Sequence, residues 1–286
     1  MSSALIVDSW LTENTSFSGA NKRSLTKTVH GLAKRIPADQ KTTIGISGAP
    51  GSGKSTLARA LVHYLEQTGT PACRLSLDDY YLGRAERAQL AQKQHPLFRR
   101  RGVPGTHELK RLLSDIDALR AGDIGKVHLP VFDKSTDDRA PEFNWRSVPA
   151  VPKVVLLEGW CIGAPPEKPN RLERPINAME QEHDSNAAWR LEVFRAWNEM
   201  HRSLRERLDL LWYIRAPDWD CVVGWRWQQE QELENPKLRS RQDVREFLAS
   251  FERIVRHMQQ SFPEWADLSI DTDRQHNFSL PDQYRN

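Results

Sequence analysis

The chain has 286 residues, 38% of them apolar and 28% charged, which suits one large domain with a real core and excludes a disordered chain. Its 41 Lys and Arg against 38 Asp and Glu leave a net charge of +3, too balanced for a general nucleic-acid or membrane-surface binder. The 3 cysteines form no CxxC pair, which argues against a disulfide scaffold or zinc ribbon. Without a long apolar run or a basic, apolar start, we expect a cytoplasmic protein.

Helices and strands alternate along the predicted chain. A polar, helical extension is predicted over residues 1–40, with one helix over 21–35, and the Pro-rich stretch 163–174 is predicted to be a loop. Strands are predicted over 42–47, 72–77, 127–132, 154–157, 208–214 and 268–271, and helices over 54–67, 107–121, 187–207, 219–233 and 241–260. The first strand, helix and strand form a βαβ unit, which implies a parallel sheet. We therefore predict a single doubly wound α/β domain over 41–286, with helices on both faces and a lid with C-terminal helices over about 219–260.

A phosphate-binding loop follows the first predicted strand and opens the first helix of that unit. The segment Gly48-Ala49-Pro50-Gly51-Ser52-Gly53-Lys54-Ser55 matches G-x-x-x-x-G-K-[ST] at every fixed position. Its glycines let backbone N–H groups converge on an anion, and the helix N-terminus adds partial positive charge. Lys54 would reach the β- and γ-phosphates, and the Ser55 hydroxyl would ligate Mg²⁺. We predict that this loop and Thr56 bind ATP with Mg²⁺, on a fold of the P-loop NTPase type.

Motifs of other nucleotide-dependent machines are missing from the sequence. The Asn21-Lys22 pair precedes the loop and lacks the Asp of N-K-x-D, and none of the 15 glycines has an Asp three residues before it. The second buried strand ends in Glu158-Gly159 rather than in the paired carboxylates of helicases and AAA machines. These absences favour a small-molecule kinase over a GTPase or a motor ATPase.

Two consecutive carboxylates, Asp78 and Asp79, follow the strand after the first helix. Strand ends of this kind gather at the ligand crevice of a doubly wound sheet. A carboxylate there can accept the proton of an acceptor hydroxyl, whereas the alternative is that both residues merely turn and cap the chain. Since side chains alternate along a strand, we expect only one of the two to face the crevice.

Three segments together resemble those of a known superfamily. They are the phosphate loop, Leu-Asp-Asp-Tyr-Tyr at 77–81 and Leu-Glu-Gly-Trp at 157–160. They look like the phosphoribulokinase, uridine kinase and pantothenate kinase superfamily. The segments 101–108, 129–135 and 158–163 resemble its D-glycerate 3-kinase type, and Trp225 to Glu230 resembles its lid region. The likeness runs from about Thr42 to Asp273, although 135–139 is shorter than in the family and the Pro-rich loop is peculiar to this chain.

The resemblance implies roles for individual residues. It implies Asp78 as the base, Ser55, Asp78 and Glu158 near Mg²⁺, and Arg226 as a lid arginine that, like Lys54, acts on the transferring phosphoryl group. Independently, residues 84–111 carry eight Lys or Arg and two Glu, and such a field attracts anionic substrates. The candidate acceptor residues from both lines of reasoning are Asp79, Tyr81, Arg101, His107, Asp133, Lys134, Arg139 and Trp160.

Three functions remain open at this point. The first is an ATP-dependent kinase of a small, anionic hydroxy acid, with D-glycerate as the acceptor. The second is a kinase of the same fold that acts on a nucleoside, pantothenate or another alcohol. The third is an ATP-binding module without phosphotransfer, against which stands the complete set Lys54, Ser55, Asp78 and Glu158. Neither a nucleic-acid nor a membrane partner is expected.

Overall fold

The computed structural model describes residues 3–232, 236 and 238–281 of the chain. The strands are β1 Thr42–Gly48, β2 Ala72–Ser76, β3 His128–Leu129, β4 Phe132–Asp133, β5 Asp138–Arg139, β6 Arg146–Ser147, β7 Val154–Gly159, β8 Leu210–Arg215, β9 Leu268–Thr272 and β10 Phe278–Ser279. The helices are α1 Ser3–Asn14, α2 Gly19–Ala33, α3 Lys54–Gln67, α4 Arg84–Lys93, α5 Leu109–Ala121, α6 Ala178–His183, α7 Ala188–Arg205, α8 Trp219–Gln231 and α9 Arg241–Ser261. None of the helices in this described part is long and apolar enough to cross a membrane.

Six strands form one sheet in the order β10-β9-β8-β1-β7-β2. β1 pairs in parallel with β7 and β8, β7 with β2, and β8 with β9, while β10 alone runs antiparallel to its neighbour. The strand order reverses beside β1, so the crevice for a ligand lies at the carboxyl end of this strand. The predicted doubly wound, mainly parallel α/β fold is confirmed.

Two apolar cores cover the two faces of the sheet. On one face, Ile44, Ile46 and Leu156 pack against α1, α2 and α3; on the other, Leu157 packs with residues of α5, α7, α8 and α9. Alternate side chains of β1 and β7 point to opposite faces, as the pleat of a strand requires. The two helices of the predicted N-terminal extension therefore share a core with the phosphate-loop helix, and the division of the chain at residue 40 stays a prediction.

Several predicted elements differ from the structure. The strand predicted over 127–132 is instead two short strands, β3 and β4, because Pro130 separates them and each pairs with a different partner outside the main sheet. The helix predicted from His107 begins at Leu109, since His107 forms an antiparallel bridge with Tyr81. The Pro-rich loop contains a 3-10 helix and leads into α6. The predicted helix end at Leu233, residues 1–2 and residues 282–286 lie outside the described residues.

The segment 127–148, hereafter the hairpin insertion, holds β3 paired with β6 and β4 paired with β5. It is fixed to the main domain by Asp137, which accepts from Arg87 at 2.8 Å and also pairs with Arg101. Arg139 adds ion pairs with Glu86 and Glu108, at 3.4 and 3.0 Å. These contacts hold the insertion against the segment that follows β2.

Candidate active site

The phosphate loop adopts backbone conformations that glycine alone adopts easily. Gly51 and Gly53 have φ angles of 79° and 84°, in the left-handed region. A Cβ at Gly53 would lie 2.7 Å from Phe278, and one at Gly48 would lie 2.7 Å from the Ser52 hydroxyl. Space and backbone conformation thus both require the glycines that the motif supplies.

The loop presents unpaired donors to its own interior. Within the described chain no oxygen accepts the N–H groups of Lys54, Ser55 and Thr56, which begin α3. The buried Ser52 hydroxyl is also without a hydrogen-bond partner there. A helix N-terminus with free N–H groups is an anion site, so these residues fit the phosphates of a nucleotide.

The chain's C-terminal part supports this loop from the other side. The His276 Nε2 lies 2.9 Å from the carbonyl oxygen of Gly51, and the His276 ring stacks on Trp225 of α8 with centroids 4.2 Å apart. The Trp225 indole N–H in turn donates to the Arg274 carbonyl at 3.2 Å. Sequence reasoning missed His276 and Phe278, because their role depends on a contact across more than 220 residues that no local spacing indicates.

Asp78 and Asp79 lie in a 3-10 helix, Leu77–Tyr80, and not at the end of an extended strand. The two side chains do point in different directions, as expected. The predicted reason, alternation along a strand, is wrong. Successive residues of a 3-10 helix are about 120° apart around its axis. Asp79 accepts from the N–H of Phe132 at 3.4 Å and pairs with Arg146 at 3.5 Å. Asp79 thus holds the hairpin insertion in place, whereas Asp78 faces the phosphate loop.

Asp78 lies among positive charges. Its Oδ2 is 2.6 Å from the ammonium nitrogen of Lys134, which comes from the hairpin insertion. Burial raises the pKa of Asp78, but Lys134 and then Lys54 outweigh that effect and hold it at about 2. Asp78 is therefore ionised, and the structure brings together the three predicted residues Lys54, Asp78 and Lys134.

Two rings adjoin this carboxylate. Burial and then the negative charge of Asp78 raise the pKa of the Tyr81 hydroxyl well above its ordinary value, and the Tyr81 ring stacks on His107 at 4.4 Å between centroids. Burial lowers the pKa of His107 to about 4, against the opposing influence of Asp78, so its imidazole is neutral. Cys161 lies close by, and burial raises the pKa of its thiol well above the ordinary value. We read Cys161 as inert.

Four other predicted acceptor residues have their polar groups engaged by the protein. Arg101 binds Asp137, and the Trp160 indole N–H donates to the Gly102 carbonyl at 2.9 Å. Arg139 pairs with two glutamates behind Tyr81 and donates to the Tyr81 carbonyl. The Asp133 carboxylate is exposed and accepts from the Ser135 N–H and hydroxyl at 2.8 and 2.6 Å. The contact of these four side chains with an acceptor stays a prediction.

Glu158 has an unexpected partner. Its carboxylate, 1% exposed, accepts from Arg74 of β2 at 2.9 Å on the face of the sheet that α3 covers. Among the described residues no group of three or more acidic, His or Cys side chains is placed to hold a metal ion. Mg²⁺ commonly takes one or two protein oxygens and fills its shell with phosphates and water, so Ser55 at the start of α3 suits it. Direct ligation by Glu158 or Asp78 stays a prediction.

Arg226 lies on α8, which passes over the phosphate loop. Its guanidinium pairs with Glu230 at 2.6 Å and lies 5.4 Å from the Phe247 ring centroid. A Cβ at Gly51 would lie 3.2 Å from Trp225 and 3.5 Å from the backbone nitrogen of Arg226. The backbone of Arg226 is thus adjacent to the loop, while its guanidinium is held by Glu230. The implied contact of this arginine with the phosphoryl group stays a prediction.

Comparisons with known proteins agree with this geometry. The model of the "Phosphoribulokinase / Uridine kinase family" matches residues 43–163. The chain is 33% identical over 205 residues to the "Uncharacterized kinase mug58" of Schizosaccharomyces pombe, covering 69% of this chain and 73% of that protein. It is 26% identical over 252 residues to the chloroplastic D-glycerate 3-kinase of Arabidopsis thaliana, covering 82% of this chain but 53% of that enzyme. The solved structure of the YGR205w protein superposes with a TM-score of 0.69 at 26% identity, over 89% of this chain and 96% of that one.

The phosphate loop at the switch point of a parallel sheet, the carboxylate beside its lysine, and these likenesses lead to one assignment. The chain belongs to the phosphoribulokinase and uridine kinase family and is a small-molecule kinase of the P-loop type.

Proposed function

We propose that this kinase uses Mg-ATP to phosphorylate a hydroxyl group of a small hydroxy acid, and that the acceptor is D-glycerate. The observation that carries the proposal is the ion pair of 2.6 Å between Lys134 and Asp78. It sets a cation for the acceptor's carboxylate directly beside the carboxylate that receives the acceptor's proton. The D-glycerate 3-kinase of Arabidopsis thaliana, 26% identical to this chain, supports the same acceptor.

The nucleotide is assigned to the phosphate loop. The free N–H groups of Lys54, Ser55 and Thr56 would hold phosphate oxygens, the Lys54 ammonium would reach the β- and γ-phosphates, and the Ser55 hydroxyl would ligate Mg²⁺. When bound, Mg-ATP supplies the phosphoryl group, and the metal offsets its negative charge. Arg226 would leave Glu230 to meet that charge, since both groups lie on a helix adjacent to the loop.

Asp78 would act as the general base. The acceptor oxygen forms a bond to the γ-phosphorus, the bond from that phosphorus to the bridging oxygen of ADP breaks, and the hydroxyl proton passes to Asp78. A carboxylate with a pKa of about 2 is a weak base. Lys134 is 62% exposed, so it can turn from Asp78 to the acceptor's carboxylate. That exchange would raise the pKa of Asp78 toward its ordinary value.

The rings near Asp78 favour a hydroxy acid over a nucleoside. A nucleobase needs an open aromatic slot, but the Tyr81 ring already stacks on His107 and meets the edge of Phe132 at 5.4 Å. A charge-neutral alcohol would make no use of a cation beside the base, and pantothenate carries its carboxylate far from its primary hydroxyl. The exposed lysine is better explained by a small acceptor whose carboxylate lies close to the reacting hydroxyl.

The experiment is a screen of ATP consumption with D-glycerate, other hydroxy acids, nucleosides and pantothenate. We expect turnover with D-glycerate above all other acceptors, and loss of turnover in Lys54→Ala. Lys27→Ala, at an exposed lysine of α2, is the matched control and should behave as the wild type. ATP binding without consumption for any acceptor would favour the ATP-binding module, and preference for a nucleoside or pantothenate would favour the second kinase class.

A further inference from the structure

His107 has a buried imidazole whose hydrogen-bonding capacity is unused. The residue is 8% exposed, and neither Nδ1 nor Nε2 has a partner anywhere in the described residues. A buried polar group without a partner costs free energy, so most proteins avoid it unless a ligand or water supplies the bond. Both ring nitrogens are therefore available to a polar group from outside the chain.

The position of the ring is fixed on both sides. His107 forms an antiparallel bridge with Tyr81, flanked by bonds from Glu108 N–H to the Tyr80 carbonyl at 2.7 Å and from Leu82 N–H to the Thr106 carbonyl at 2.9 Å. The ring lies nearly parallel to that of Tyr81, at 25°. A residue held by both its backbone and its ring presents its nitrogens in one geometry, as a selective contact requires.

The ring adjoins the reaction centre. It stacks on Tyr81, and the negative charge of Asp78 acts on both the Tyr81 hydroxyl and the imidazole. Lys134 supplies a cation 2.6 Å from the same carboxylate. An acceptor whose reacting hydroxyl meets Asp78 and whose carboxylate meets Lys134 would therefore bring its intervening atoms to His107.

We infer that His107 selects the acceptor by binding the hydroxyl next to the one that is phosphorylated. This inference rests on the proposed function and restricts it to acids with two adjacent hydroxyl groups. A neutral imidazole has one donor and one acceptor nitrogen, and a hydroxyl group can both donate and accept, so the two are complementary. A site that binds a hydroxyl rejects the analogue that lacks it, because its own polar groups are then left unpaired.

The test compares D-glycerate with 3-hydroxypropanoate, which lacks the second hydroxyl. For the wild type we expect kcat/KM to favour D-glycerate by about 100-fold or more. His107→Phe should reduce that preference to less than about 10-fold, mainly through slower turnover of D-glycerate, while the KM for ATP stays the same. His107→Gln, which keeps one donor and one acceptor, should retain part of the preference and provides the comparison if His107→Phe does not fold. His128→Phe, an exposed histidine of β3, is the control.

The outcomes separate the two proposals. The role of His107 alone would be overturned if the preference for D-glycerate survives in both His107 variants, or if the wild type shows no preference. A bound water would then be the partner of the ring. No turnover of either acid by the wild type would overturn the proposed function together with this inference. A preference that collapses in His107→Phe and persists in His128→Phe supports the inference.

Discussion

The ammonium nitrogen of Lys134 lies 2.6 Å from a carboxylate oxygen of Asp78, although the two residues come from different parts of the fold. Asp78 follows β2, the strand at one edge of the sheet, and Lys134 comes from the hairpin insertion. The insertion is held by Asp79, Asp137 and Arg139, so its position and that of the cation are determined together. This ion pair joins the proposed acceptor site, at Lys134, to the carboxylate beside the phosphate loop.

Lys134→Met should weaken the binding of the acceptor and leave that of ATP unchanged. A hydrogen bond to a charged group contributes about 1.5–3 kcal/mol, so we expect the acceptor KM to rise by about 10- to 100-fold. Steady-state kinetics with each substrate varied in turn measures the difference. Lys126→Met, at an exposed lysine that pairs with Asp123 just before the hairpin insertion, should change neither KM. Equal increases in both KM values would show that Lys134 acts on the fold instead.

Asp78→Asn and Asp79→Asn should affect different properties. Asn cannot accept the hydroxyl proton, so kcat of Asp78→Asn should fall by about 10²- to 10⁴-fold with little change in ATP affinity. Asp79→Asn keeps an acceptor for the Phe132 N–H but loses its charge opposite Arg146. Its kcat should fall less, and its melting temperature should drop more. A larger loss of kcat in Asp79→Asn would reverse the assignment of the base.

His107 should make the protein less stable in mild acid. Burial lowers its pKa from 6.5 to about 4, so between these values the unfolded chain binds a proton that the folded chain does not. The free energy of unfolding then decreases as the pH falls from 6.5 to 4, by up to about 3 kcal/mol for this group. Denaturant titrations of His107→Phe should show a shallower decrease than the wild type over that range. His201, His257 and His276, whose pKa values burial also lowers, retain part of the slope.

Arg253 should be important for stability. This buried side chain of α9 binds Glu180 of α6 and Glu167 of the Pro-rich segment, the latter at 3.0 Å. Because Arg253→Met leaves the buried Glu167 without its cation and Glu180 with Arg190 alone, we expect a loss of about 3–5 kcal/mol in the free energy of unfolding. Arg256 lies on the same helix, is half exposed and pairs with Glu252 four residues before it. Arg256→Met should therefore lower the free energy of unfolding by less than about 1 kcal/mol. Similar losses of unfolding free energy in the two variants would contradict a special role of the buried cluster.

The local parts of the fold and site were predictable from the sequence. β1, the phosphate loop and α3 are contiguous, and the spacing of Gly48, Gly53 and Lys54 expresses a backbone requirement that the structure bears out. The family likeness pointed to Asp78 and Lys134 separately, and their ion pair was not predicted. Periodicity, by contrast, describes one segment at a time.

What the sequence could not predict depends on contacts between distant segments. Arg74 reads as an ordinary residue of a strand, yet it neutralises the carboxylate of Glu158. His276 binds the phosphate loop across 225 positions. The short strands of the hairpin insertion have only two residues each, too few for alternation to show, and their pairing is set by ion pairs with the main domain.

The central claim is that the chain transfers the γ-phosphoryl group of ATP to a hydroxyl of D-glycerate with Asp78 as base. The most direct measurement is phosphorus NMR of a reaction of wild-type protein with Mg-ATP and D-glycerate, beside Asp78→Asn. The account predicts ADP and a new phosphomonoester of glycerate in equal amounts for the wild type, and almost none for Asp78→Asn. ADP with free phosphate but no glycerate ester, or equal ester formation by both proteins, would contradict it.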